Sequence, residues 1–162
     1  MLWNRIVTVW KGYLKGQFIL TVFISGITYL AAYFTGMPYP MIITIVTCIC
    51  QNIPNFGFAI TIIFAAILSL IKGSSVIHLP NWQFALIVAG IFIVIELVEN
   101  WLITPKLVGD SVHIHPVLVI IGMAVFSSFL GLFGLIFAVP IMATIREIIR
   151  YFFYKEIPPN SK

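Results

Sequence analysis

Charge is the scarcest property of this chain. Nine basic and five acidic side chains among 162 residues amount to 9%, where a soluble domain carries about 25%. So few charges exclude a solvated globular surface. Cysteine is equally sparse, with Cys48 and Cys50 alone. They are alternate residues of an apolar run, so on a helix they point about 200° apart. No further ligands lie near them in sequence, which argues against a metal pair and for buried free thiols. No Walker, Ser-His-Asp or paired catalytic pattern occurs, and GLFG at 131–134 lies inside an apolar run rather than in a phosphate loop. Neither an enzyme nor a cofactor is expected. Net charge is +4, but the basic residues gather at the edges of apolar runs, with no stripe of interleaved aromatics. They read as topology signals and give no reason to expect a nucleic-acid partner. A cleavable leader is not expected, because the first apolar run follows a basic segment of 16 residues.

What is abundant is apolar surface: 61% of the residues are hydrophobic. The chain reads as an all-α integral membrane protein, one membrane domain over 1–162, multi-pass in the inner (plasma) membrane. Its most informative stretch is 41–71. Apolar runs of 11 and 14 residues flank NIPNFG at 52–57. A straight helix over the whole stretch would be about 46 Å long, against a hydrocarbon core of about 30 Å, and each run alone is too short to cross. Pro54 lacks an N–H, Gly57 relaxes the backbone, and Asn52 and Asn55 place polar side chains between them. Backbone groups freed by such a break survive at membrane depth only inside protein or against a watery cavity. A broken apolar segment is also the best sequence pointer to a transport site.

Taken in order, residues 1–16 read as an amphipathic interfacial helix, with Trp3, Trp10 and Tyr13 suited to the headgroup layer; a helix facing a protein partner is the competing reading. Residues 17–35 contain no charge and are long enough to span. Thr21, Ser25, Gly26 and Thr28 could form a small-residue packing face on that helix. Gly36, Pro38 and Pro40 connect it to the broken segment. A polar loop with His78 leads to a second spanning helix at 83–101. A loop rich in turn formers follows, and then a last apolar stretch from 117 to 145, broken by SSFLGLFG, with Gly131, Gly134 and Pro140 as the expected helix-break residues. The expected architecture is a bundle of two full spans and two broken or re-entrant segments, closed by a polar tail at 150–162.

The two halves resemble each other. Each has a helix followed by a broken segment, entered at Pro40 and Pro116 and broken at Phe56-Gly57 and Phe133-Gly134. The offsets are 76 and 77 residues, so one gap aligns repeats at 17–71 and 83–149. If each broken segment dips and returns, each repeat crosses once and the halves are inverted. If each crosses, the repeats are parallel and there are four spans. Charge does not separate the two, since both leave Arg5, Lys11, Lys15, Arg146, Arg150 and Lys155 on the cytoplasmic side with the termini. The short arms favour re-entry.

Glu96 and Glu99 are the acidic residues placed in or at the end of a spanning helix, three apart and so on one face. A carboxylate in lipid is expensive and is a functional candidate by default, although both could sit hydrated at the far interface. With Asn100 they form one candidate for a solute or ion pathway. Asn52, Pro54, Asn55 and Gly57 form the other, because half-helix ends present partial charge to ions or polar solutes. His113, His115 and Asp110 share a loop, but spacing of two there is unspecific and no metal is expected.

At ENWLITPKLVGDSVHIHP followed by GLFGLIFAVPIMA, the chain resembles the autoinducer-2 exporter family of bacterial membrane proteins, also known as PerM-like permeases. KGYLKGQ and QNIPNFG fit the same family in the same order. Its members are longer, so this chain resembles their C-terminal half. The resemblance implies export of a small polar solute such as autoinducer-2, coupled to protons or sodium. It also implies a homo-oligomer or a missing N-terminal half. The alternative is a membrane scaffold, or a half-transporter inert without an N-terminal partner. By motif, the residues that carry over are Pro54, Asn55, Gly57, Glu99, Asn100, Pro105, Lys106, Gly109, His115, Pro116, Gly131, Gly134 and Pro140. His113 stands where the family has a small residue, and Asn55 where many relatives carry an aromatic or aliphatic one.

Overall fold

The computed structural model describes residues 2–53, 56–104 and 116–153. They form six helices, and among the described residues there is no strand. The helices are α1 (Leu2–Phe34), α2 (Pro40–Cys50), α3 (Gly57–Lys72), α4 (Asn81–Val98), α5 (Pro116–Leu130) and α6 (Leu132–Phe153). A π-helical turn, Glu99–Ile103, continues α4. Among the described residues, three helices are long and apolar enough to cross a membrane: Leu2–Phe34, Asn81–Ile103 and Leu132–Phe152. The expectation of two full spans is thereby corrected to three candidates. The chain divides into two compact units, one over Gln17–Leu107 and the other over Met1–Gly16 with Val108–Lys162.

The first unit is organised by a hairpin. Within it α1 ends in a left-handed turn at Gly36, φ 68°. Met37 N–H donates to the Ala32 carbonyl at 2.8 Å and Gly36 N–H to that of Tyr33 at 3.2 Å. These two bonds satisfy carbonyls that lipid cannot, and glycine takes the left-handed site at no steric cost. Pro38 and Pro40 then forbid continuation, and Pro40 starts α2 at the position where its missing N–H is harmless. At the far end of α2 the chain reverses. Ile53 N–H donates to the Cys50 carbonyl at 2.8 Å and Gly57 N–H to that of Ile53 at 2.9 Å. A Cβ on Gly57 would lie 1.8 Å from the Cys50 oxygen, so only glycine admits this turn.

α3 packs against α2 and runs back. It stops at Gly73, φ 71°, and its exit is bonded to the entry of the hairpin. Ser74 Oγ donates to the Thr35 carbonyl at 2.7 Å, and Ser75 N–H donates to that of Gly36 at 3.0 Å. The broken segment therefore begins and ends in one place. α4 packs on α3, with the Phe58 and Phe92 rings 6.2 Å apart. Its buried face is Phe84, Val88, Phe92 and Ile95, and the same stripe ends on Glu99.

In the second unit the first turns of α1 lie against α6. Trp10 Nε1 donates to Thr144 Oγ1 at 2.8 Å and its ring stacks on Phe137. The boundary expected at residue 16 is not a helix boundary. α1 contains no proline, and glycine inside a helix costs only about 1 kcal/mol. α5 and α6 meet at Gly131, φ 58°, and pack closely where Gly122 faces Met142. Gly134 sits in the first turns of α6, where a Cβ would lie 2.1 Å from the Phe126 carbonyl oxygen. Pro140 does not break the helix as expected; α6 runs through it. Proline removes only its own bond to the Ile136 carbonyl, a loss that neighbouring protein can absorb; beyond it Thr144 Oγ1 donates to the Pro140 carbonyl at 2.8 Å.

Gly57→Ala should lower thermal stability in detergent by about 2 kcal/mol or more, because the turn must open to admit a methyl group. Gly90→Ala, with open space around it, should be neutral or stabilising by up to about 1 kcal/mol. Parallel melting curves of the two variants check both.

Candidate functional site

The apex of the hairpin and the end of α4 meet in the first unit. Glu99 opens the π-helical turn and is 6% exposed. A π-turn inserts an extra residue per turn and so re-aims side chains; such turns recur at functional sites. Here it follows directly on the apolar stripe of α4, which delivers the carboxylate into the interior.

Gln51 closes α2 at the start of the break, and its Nε2 donates to Glu99 Oε1. The backbone carbonyl of Gln51 accepts from Gln17 Nε2 at 2.8 Å. One network thus joins α1, the end of α2 and the end of α4. Glu99 Oε2 has no hydrogen-bond partner among the described residues, and the ion pair of Arg150 with Glu147, at 3.8 Å, lies in the other unit. A buried carboxylate with a single amide donor and a free oxygen is costly. It keeps one oxygen open to a proton, a cation or the donor group of a solute.

The other expected residues are placed as follows. Asn52 turns back on its own helix, with Nδ2 donating to the Cys48 carbonyl at 2.8 Å, so it caps α2. Gly57 holds the turn. Glu96 is half-buried one turn before Glu99, and Asn100 is exposed. Cys48 is exposed and Cys50 half-buried. Pro54, Asn55, Pro105, Lys106, Gly109, Asp110, His113 and His115 lie outside the described residues. Pro116 starts α5. Gly131, Gly134 and Pro140 belong to the second unit and shape its own hairpin.

Sequence reasoning missed Gln51 and Gln17. Both are uncharged, and each sits at the end of an apolar run, where a polar residue reads as a boundary marker. The signal was there: glutamine has the reach and the two-way hydrogen bonding to serve a carboxylate. What pairs with it is set by a contact 48 residues away.

Compared with known proteins, residues 1–153 match the model of a family described as "AI-2E family transporter". Two similar proteins come from Bacillus subtilis (strain 168). "Putative transport protein YrrI" is 24% identical over 86% of this chain and 37% of its own length. "Putative transport protein YueF" is 26% identical over 83% of this chain and 34% of its own. "Putative permease PerM" of Escherichia coli (strain K12) is 27% identical over 37% of this chain and 17% of its own. The chain thus spans about a third of the length of the first two relatives. No solved structure matches.

A double-mutant cycle over Gln51→Leu and Glu99→Gln measures the central bond. The expected coupling is about 1.5–3 kcal/mol, the scale of a hydrogen bond to a charged group. Gln51→Leu alone should destabilise, because it strands the carboxylate.

Proposed function

Because the chain belongs to the AI-2E transporter family, we propose that it forms part of a secondary transporter exporting a small polar solute, an autoinducer-2-like signal, coupled to protons or sodium. The observation that carries this reading is the buried Glu99 carboxylate beside the apex of a broken helix, with one oxygen held by Gln51 and the other without a partner among the described residues. Broken helices place such sites at mid-membrane in many transporters. Glu99 is the coupling or gating group. Glu96, Asn100 and the break residues Asn52, Pro54, Asn55 and Gly57 line the solute and ion pathway, and Gly131 and Gly134 shape the turn from α5 into α6, which carries Pro140 inside it.

In this reading the α2–α3 segment dips into the bilayer and returns to the side it entered. The α5–α6 turn is its repeat partner: at each turn a glycine presses on the carbonyl seven or eight residues upstream, Gly57 on Cys50 and Gly134 on Phe126. Basic residues at both ends of the chain favour cytoplasmic termini. The chain works as a homo-oligomer or with an N-terminal half. The length it shares with its relatives, about a third of theirs, favours a second reading, in which this module conducts nothing until joined by the upstream portion.

Proteoliposomes loaded with autoinducer-2 separate the two. With the protein alone, the transporter reading expects efflux driven by an imposed proton or sodium gradient, reduced about tenfold or more by Glu99→Gln. The module reading expects no efflux until the N-terminal portion of a relative is co-reconstituted. Efflux that ignores Glu99→Gln would remove the site assignment.

A further inference from the structure

The chain has no acidic residue before Glu96. The basic residues at the start of α1 therefore have no carboxylate on their own helix, and Arg5, Lys11 and Lys15 are all exposed. In the same unit α6 adds Arg146, half-buried, and Arg150, exposed. The carboxylate set among them is Glu147, which is 9% exposed and 3.8 Å from Arg150. Among the described residues of this unit, five cations thus face one carboxylate.

The two helices are joined where these cations lie. Trp10 Nε1 donates to Thr144 Oγ1 at 2.8 Å, and the Trp10 ring stacks on Phe137. Lys11 follows Trp10 directly, and Arg146 is two residues beyond Thr144. Along α1, Arg5 and Lys15 lie about 8 Å from the bond in opposite directions; along α6, Arg150 lies about 9 Å from it. All five cations therefore sit within about 9 Å of one contact, measured along the helices.

Exposed apolar side chains alternate with the cations, Trp3 and Leu14 on α1 and Ile145 and Ile149 on α6. Cations alone would suit water, and apolar groups alone would suit hydrocarbon. The mixture suits the layer between, where lipid headgroups carry their phosphates. Helix length points the same way. At 33 residues α1 is about 50 Å long, and a hydrocarbon core takes up about 30 Å of it. The uncharged part begins at Gln17, so the overhang is the part that carries Arg5, Lys11 and Lys15. α6 is likewise uncharged from Leu132 to Ile145 and becomes charged only at Arg146.

We propose that the band around the Trp10–Thr144 bond binds the headgroups of anionic phospholipids in preference to zwitterionic ones. Charge selects the occupant. A zwitterionic headgroup brings its own cation with its phosphate and cannot neutralise the excess, whereas attraction to an anionic leaflet grows with each Lys or Arg at the surface. The guanidinium groups of Arg146 and Arg150 also match phosphate oxygens in pairs. This surface belongs to the unit that does not contain Glu99, so its test and the efflux test succeed or fail separately.

Tryptophan quenching by brominated lipid tests the proposal on the full chain. Trp82 and Trp101, both well exposed, are replaced by Phe so that Trp3 and Trp10 report. The protein is reconstituted in phosphatidylcholine vesicles that contain a minor fraction of brominated phosphatidylglycerol, or the same fraction of brominated phosphatidylcholine. Brominated phosphatidylglycerol should quench as though enriched about threefold or more at the band. Sodium chloride at about 1 M, where the Debye length is about 3 Å, should erase most of that enrichment. Arg5→Gln, Lys11→Gln, Arg146→Gln and Arg150→Gln together should abolish it. Equal quenching by the two lipids would overturn the proposal. So would an enrichment that survives the salt or the four substitutions, since packing rather than charge would then be its source. Loss of the enrichment in millimolar inorganic phosphate, but not in chloride of equal ionic strength, would also overturn it by assigning the band to a free anion. If the fourfold variant fails to fold, the salt and phosphate arms on its parent decide.

Discussion

A helix that breaks in an apolar chain frees amides and carbonyls that lipid cannot take up. Everything in the first unit follows from how this chain answers that constraint. At one end of the break the chain turns so tightly that the Cys50 carbonyl occupies the place of a side chain on Gly57. At the other end Ser74 and Ser75 bond the carbonyls of Thr35 and Gly36, just past the end of α1. The hairpin is closed by its own backbone, and what remains polar at its apex, Gln51, is spent on Glu99.

The break and its consequence were legible in the sequence, because proline and glycine act through local geometry. Pro40 starts α2, and Gly36 and Gly73 end α1 and α3 in left-handed turns. Glu99 was legible for a different reason: a carboxylate among apolar residues must be buried with partners or reach water. Less legible was the number of long helices. Pro140 is expected among the helix-break residues, yet α6 runs through it, because proline removes a single backbone bond and packing can hold the helix across it. The helical boundary expected at residue 16 failed similarly, because amphipathic and spanning segments can share one continuous helix.

Gln17, Gln51 and the α1 hydroxyls mark a further limit. Their roles are set by partners far away in sequence, or by the lack of any. A stripe of Thr and Ser on an apolar helix reads equally as close packing or as a wet face. What the structure adds is a contrast: buried Thr47 and Thr61 donate to their own helix backbone, whereas Thr21, Ser25 and Thr28 have no partner among the described residues.

The claim on which the rest stands is that the chain between α1 and α4 returns to the membrane face it left. Tyr39 and Val76 flank that segment, and both are more than half exposed. Cysteines introduced at these positions, with Cys48 and Cys50 replaced by serine, can be modified with an impermeant maleimide in sealed vesicles of known orientation. The account predicts that both react from the same side. Reaction from opposite sides would mean that the segment crosses the bilayer, and the hairpin and its site would have to be abandoned.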